Sequence, residues 1–266
     1  MTPGKTRSTD GTEIAYWTAG EGPPLVLVHG ITSTHLTFDE LLPHLNAHRT
    51  VTVYDRRGRG LSGDSSGQYD FSAEFDDLLA VLDAAGAEHT DLFAHSFGAY
   101  IAIGAAERDM KSAIRRMVFY SPGFGDQYPE ATLAHIDELV ASDQRDEALR
   151  VLLIEIIGMT TDEVDFMQRS PAWAARIDSV HTVARECRAD RDFSVDEERL
   201  GALWTPVLVI SGETNPPNKQ AVASRLASFL PSATLKTLTG EGHVAHHTAP
   251  HRIAELVLDF TAGDGR

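Results

Sequence analysis

One serine occupies a setting that suits nucleophilic chemistry. The run Leu92-Phe93-Ala94-His95-Ser96-Phe97-Gly98-Ala99 carries a short apolar segment into a tight turn, and small and apolar residues follow. This is the G-x-S-x-G pattern with Ala94 at its first position. A turn that sharp needs small residues around the serine, here Ala94 and Gly98, and it points the serine hydroxyl into open space. A serine in this position also suits a plain helix N-cap.

Other residues in the chain give that serine chemical meaning. Val28-His29-Gly30-Ile31 leaves an apolar run and turns at a glycine. The backbone N–H of Ile31 can then face the same space as that of Phe97, and two such donors form an oxyanion hole. A plain strand-to-loop turn is the alternative reading. Gly240-Glu241-Gly242-His243 places a histidine on a glycine-flexed loop after the last apolar strand and ahead of Pro250. His246, His247 and His251 follow closely, which raises a metal site as a rival. They lack a helical His-x-x-x-His pair with an acidic partner, and no metal is expected. Asp55-Arg56-Arg57-Gly58-Arg59-Gly60-Leu61-Ser62 reads as a tight, hydrogen-bonded loop, because no P-loop or helix start follows it.

The elements around these residues alternate. Strands are expected at Thr12–Thr18, Leu25–Val28, Thr50–Tyr54, Asp91–Ala94, Met117–Tyr120, Val207–Ile210 and Thr234–Leu238. Helices are expected at Phe38–Leu45, Phe71–Ala85, Phe97–Arg108, Gln220–Phe229 and Arg252–Phe260. Such alternation implies an α/β fold, a mostly parallel sheet with helices on both faces. From about Phe124 to Leu203 only helical patterns occur, Asp137–Ile157 and Thr161–Gln168 among them. The expected organisation is a core over residues 1–122, a helical cap over 123–204 and the rest of the core over 205–266. Met1–Ser8 and Ala262–Arg266 read as frayed ends.

Composition narrows the class. The chain has 266 residues, 42% hydrophobic and 23% charged, with a formal net charge of −16. An acidic surface repels phosphate backbones, so nucleic acid is not an expected partner. The single cysteine, Cys187, excludes an internal disulfide and a cysteine metal cluster. The polar opening Met1–Asp10 and the lack of an apolar run of about 20 residues point to a cytoplasmic protein without a membrane partner.

Taken together, His29-Gly30, Asp55 through Ser62, His95-Ser96-Phe97-Gly98, Pro206 through Gly212 and Gly242-His243 resemble the α/β-hydrolase superfamily, in its serine-nucleophile, helical-cap subset. The resemblance runs from about Thr12 to Phe260. It implies an α/β-hydrolase fold, Ser96 as nucleophile, His243 as general base and then acid, and Ile31 and Phe97 as oxyanion donors. The third triad member departs from the family pattern. Asn215 falls where the family's usual Asp is expected, in Gly212-Glu213-Thr214-Asn215-Pro216-Pro217. Ser121 stands at the alternative seat, where a subset of relatives places a Glu before Pro. Glu213 or Asp126 can supply a displaced carboxylate, or Asn215 or Ser121 can orient His243 without charge.

An Asp at the elbow is what relatives use to open epoxides or displace halide, and Ser96 disfavours both. The expected activity is cofactor-free hydrolysis of a carboxylic ester or lactone through an acyl-Ser96 intermediate. The alternatives are a non-hydrolytic lyase or cyclase on the same fold, or a ligand-binding protein with a weakened site. The expected partner is a small, apolar ester or lactone, and the expected assembly a monomer or homodimer. Phe124, Ile154, Ile157, Met159, Phe166, Trp173 and Phe193 are candidate lining residues of the cap. His181 and Arg185, one helical turn apart, can meet a carboxylate or form a solvated face.

Overall fold

The computed structural model describes residues 1–65, 67–86, 89–123, 128–169, 172–192 and 197–262. Eight strands form one sheet: β1 (Thr2–Arg7), β2 (Glu13–Ala19), β3 (Pro24–Val28), β4 (Thr50–Tyr54), β5 (Thr90–His95), β6 (Ile114–Tyr120), β7 (Val207–Gly212) and β8 (Ala233–Leu238). Their order is β1-β2-β4-β3-β5-β6-β7-β8. β1 and β2 are antiparallel to their neighbours, and every pairing from β4 through β8 is parallel. The expected α/β architecture is therefore present.

The parallel strands are continuous apolar runs because both of their faces are covered. Every residue of β5 and β7 is buried. On one face pack α2 (Ala73–Ala85) and α3 (Gly98–Arg108); on the other pack α1 (Leu42–Leu45) and α12 (Pro250–Ala262). α10 (Pro217–Phe229) crosses from β7 to β8, and α11 (Ala245–Thr248) precedes α12.

Three elements differ from the sequence expectation. The helix expected over Phe38–Leu45 is a 3-10 turn at His35–Phe38 followed by the short α1. Met1–Ser8 is not a frayed end: β1 pairs along its whole length with β2. It has no apolar pattern because it is a sheet edge, held by backbone pairing and an exposed Lys5–Glu13 ion pair of 2.5 Å. The helix expected over Asp137–Ile157 is broken. α4 (Glu130–Ala141) ends before Asp143, whose φ of +59° turns the chain into α5 (Arg145–Val151), and a π-helical turn covers Leu152–Ile156. Between β6 and β7 the insertion continues with α6 (Thr161–Gln168), α7 (Ala172–Ser179), α8 (Val183–Asp192) and α9 (Glu197–Gly201), with no strand among the described residues.

The arginine-rich loop after β4 joins this insertion to the core. Arg56 pairs with Glu74 of α2 at 2.6 Å and with Glu186 of α8 at 3.1 Å, all fully or almost fully buried. Arg59 also pairs with Glu186, and Arg57 pairs with Asp77 at 2.7 Å. Gly60 is required at the centre of the loop, since a Cβ there would lie 1.9 Å from the Asp55 carboxylate. The loop is tight and hydrogen-bonded, as its glycines and charges imply, and its arginines add a buried ion-pair network.

Candidate active site

Ser96 is the first residue after β5 and adopts φ +54°, a left-handed conformation that a non-glycine residue enters at an energetic cost. Three local features hold it there. Its backbone N–H donates to the Tyr120 carbonyl at 3.0 Å. A Cβ on Gly98 would sit 2.5 Å from the Val28 carbonyl, so only glycine lets the helix start approach β3. A Cβ on Gly30 would stand 3.0 Å from the Ser96 Cβ.

The loop carrying Ile31 is fixed by His29. The His29 Nδ1–H donates to the Gly30 carbonyl at 2.9 Å, and Nε2 accepts from the Arg56 backbone N–H at 3.2 Å. Burial pushes the pKa of this imidazole well below its ordinary value, with nearby Arg56 and Arg59 adding to the shift. The Ile31 and Phe97 backbone N–H groups donate to no protein acceptor among the described residues. The Phe97 ring turns away from the site onto Phe71 and Tyr100, beneath the Arg56 guanidinium.

His243 arrives on the loop after β8. Gly212 makes room for it, since a Cβ there would meet the Glu241 and Gly242 carbonyls at 2.6 and 2.7 Å. The Tyr120 hydroxyl donates to the Gly242 carbonyl and accepts from the Ala245 N–H at 3.1 Å. The His95 Nε2–H donates to the His243 carbonyl at 2.9 Å. The residues on either side of the sheet edge thus clamp the histidine loop from below.

The Nδ1 of His243 lies 2.7 Å from the Ser121 hydroxyl, and the Asn215 Nδ2 lies 3.1 Å from the same oxygen. Both partners are buried and neutral. Ser121 has φ +47°, so strain is stored here as well as at Ser96. Glu213 does not reach this cluster; its carboxylate accepts from the Gly240 N–H at 2.8 Å. Asp126 lies outside the described residues. With no carboxylate beside it among the described residues, the His243 imidazole is held well below its ordinary pKa, first by burial and then by His95, Lys219 and Arg176. It is the neutral form that faces the cavity at neutral pH.

Ser96 and His243 share a cavity of about 340 Å³, its open mouth included. The floor is Gly30, Ile31, Thr32, Ser33 and His95, and the helical insertion adds Leu153, Ile157, Met159, Met167 and Arg176. Ile157 and Met159 line it as expected. Ile154 and Phe166 are exposed instead, and Trp173 is buried against α5, donating to Asp146 at 2.8 Å. Phe124 and Phe193 lie outside the described residues. Arg185 pairs with Asp64 at 2.8 Å, and His181 is exposed and bonded to the Asp178 carbonyl.

The sequence reading missed Arg176. It sits on α7, and its guanidinium donates to the Ser33 and Thr37 hydroxyls at 3.1 and 3.2 Å. A lone arginine in a helical stretch carries no signal of such a position, because its partners lie about 140 residues earlier. The histidines near His243 hold no metal-type cluster among the described residues. His246 and His247 contact the Thr37 hydroxyl at 3.4 and 3.2 Å, and His251 packs near His44.

A serine at a strained strand–helix turn, a histidine from the loop after the last strand and a helical insertion above them define one class of protein. Residues 25–256 match the family model described as the alpha/beta hydrolase family, and the chain belongs to that family. An alpha/beta hydrolase structure from Sphaerobacter thermophilus superposes with TM-score 0.86 at 32% identity, covering 97% of this chain and all of the other. The enol-lactonase from Burkholderia xenovorans superposes with TM-score 0.80 at 21% identity, over 98% and 100% of the two chains. The 2-(acetamidomethylene)succinate hydrolase of Mesorhizobium japonicum is 23% identical over 252 residues, 91% of this chain and 88% of that protein. Among the described residues no helix is long and apolar enough to cross a membrane.

Proposed function

We propose that this protein hydrolyses a small carboxylic ester or lactone through an acyl-Ser96 intermediate. The observation that carries the reading is the Ser121–His243 contact of 2.7 Å. It fixes the ring of a neutral imidazole that lines the same cavity as Ser96. For His243 Nε2 to act as a base, Nδ1 must carry the proton and donate it to the Ser121 oxygen. Ser121 then needs an acceptor for its own hydroxyl. Among the described residues the Asn215 Oδ1 is buried without a partner, and half a turn of that amide presents it to Ser121. The working relay is His243 Nδ1–H to Ser121 Oγ–H to Asn215 Oδ1.

In this reading Ser96 Oγ attacks the substrate carbonyl as its proton passes to His243 Nε2. The negative oxygen of the tetrahedral intermediate is received by the Ile31 and Phe97 N–H groups. Imidazolium then protonates the departing alkoxide, and water repeats the sequence on the acyl group. A neutral relay orients the ring but leaves its positive charge uncompensated. Loss of the acid in model serine proteases costs about 10⁴ in turnover. The substrate is therefore expected to be an activated one, such as a strained lactone or an ester with a good leaving group.

A second reading is favoured by those same neutral partners. A lyase or cyclase would use His243 as a proton shuttle and Ser96 only as a hydrogen-bonding group. The test is turnover of a panel of aryl esters and lactones by the wild type and Ser96→Ala. The hydrolase reading expects turnover that the substitution abolishes. Ester turnover that survives Ser96→Ala would reject an acyl-Ser96 route.

A further inference from the structure

The buried arginines of this chain have partners that answer their charge. Arg49 pairs with Asp91, Arg57 with Asp77, and Arg56 and Arg59 with Glu186. Arg116 is held by the Thr261 carbonyl at the C-terminal end of α12. Arg176 is the exception that lines the Ser96 cavity. It is 7% exposed, and its two protein partners are hydroxyls, with no carboxylate in ion-pair reach among the described residues.

A guanidinium has five N–H donors, and those two bonds leave three unused. The Nε–H makes no hydrogen bond among the described residues and is not sealed away from solvent, and the side chain lines the cavity. Burial alone lowers its pKa to about 10, which leaves it charged at neutral pH. A buried, uncompensated charge is costly to a folded protein. The cost is offset once an anion enters, because a guanidinium binds a carboxylate through two parallel hydrogen bonds. Ser33 and Thr37 meanwhile hold the fork in one orientation. The rest of the insertion's contribution to the cavity is apolar, from Leu153, Ile157, Met159 and Met167.

We propose that Arg176 anchors a carboxylate carried by the substrate, so that the natural ester or lactone is a small acid with its reacting carbonyl at Ser96. This inference rests on the hydrolase reading for the second half of the statement only; the anion site stands without it.

The experiment pairs two esters of equal chain length: the monophenyl ester of glutaric acid and phenyl valerate. Wild type is expected to favour the acid ester by between about tenfold and a hundredfold in kcat/KM, the range of a charge-assisted bond. Arg176→Met is expected to bring that ratio close to one, and Arg176→Lys to leave it partly intact. Because the readout is a ratio, a general loss of activity cancels. Calorimetry with glutarate on wild type and on Ser96→Ala measures the anion site without turnover and without altering Arg176. Saturable binding by both proteins is expected. Failure of glutarate to bind, or equal preference for the two esters in wild type, would overturn the anchor. If glutarate binds while Ser96 fails to label with a fluorophosphonate, the hydrolase reading falls and the anion site remains.

Discussion

Asn215→Asp adds one negative charge behind the histidine while keeping the side-chain shape. Ser121 Oγ lies 2.7 Å from His243 Nδ1 and 3.1 Å from the Asn215 amide. The new carboxylate would therefore stand within about 6 Å of the ring nitrogen, and at an effective dielectric constant of about 20 it would attract imidazolium by about 2.8 kcal/mol. That equals about two pH units in the pKa of His243, or about a hundredfold in a rate limited by forming imidazolium. The neutral imidazole must remain the resting form for this gain to appear. It does, because the wild-type pKa lies well below 6.5 and a rise of about two still leaves a largely neutral ring at pH 8. The new carboxylate is buried, but it sits at the start of α10, where the helix dipole favours negative charge. The assay is the pH profile of kcat/KM for an aryl ester. Wild type is expected to keep its activity below pH 6.5 on the acid limb. The variant is expected to show that limb about two units higher and a plateau up to a hundredfold higher. A folded variant with an unmoved limb and an unchanged plateau would refute the claim that His243 becomes charged in the rate-limiting step beside Ser121 and Asn215.

Further consequences can be checked separately. Gly212→Ala places a methyl group 2.6 Å from the Glu241 carbonyl, so it is expected to displace the His243 loop and lower kcat at least tenfold; full activity would contradict the assigned role of that close approach. Glu186→Gln leaves Arg56 and Arg59 without a shared carboxylate, and urea unfolding is expected to show a loss of about 3–5 kcal/mol, as for other broken buried pairs. An unchanged midpoint would mean that the network does not join the insertion to the core. Burial lowers the pKa of His95 to about 3 and of His247 to about 4, and holds His29, His243 and His246 well below 6.5. The unfolded chain takes up these protons from pH 6.5 downward while the native state does not. Stability is therefore complete above pH 6.5 and falls as pH drops toward the folded values, by about 1.4 kcal/mol per histidine at pH 5.5. Equal stability in denaturant at pH 7.5 and pH 5.5 would show that these rings are not buried neutral.

The parallel sheet was legible because burial on both faces leaves a run that only apolar residues satisfy. Thr50–Tyr54 appears with the same bounds in sequence and structure. The edge strand Thr2–Arg7 was not legible, since backbone pairing holds it and asks nothing of its side chains. The break near Asp143 escaped because the apolar spacing continues across it, while one left-handed residue redirects the chain. At the site, the local turn chemistry around Ser96 and the glycines beside His243 marked both positions. The choice among Ser121, Asn215 and Glu213 depends on which side chain points inward. That is decided by contacts between separate loops, 122 residues apart for Ser121 with His243 and 27 for Glu213 with Gly240. Arg176 was hidden for the same reason: its meaning lies in Ser33 and Thr37, far away in sequence, and in the absence of a carboxylate beside it among the described residues.

The central claim is that Ser96 is an activated nucleophile facing a formed oxyanion hole. Intact-protein mass after exposure to a fluorophosphonate tests it most directly, with Ser96→Ala as control. The account predicts a single adduct on wild type and none on the variant. No adduct on folded wild-type protein over hours, or an adduct that persists in Ser96→Ala, would contradict it.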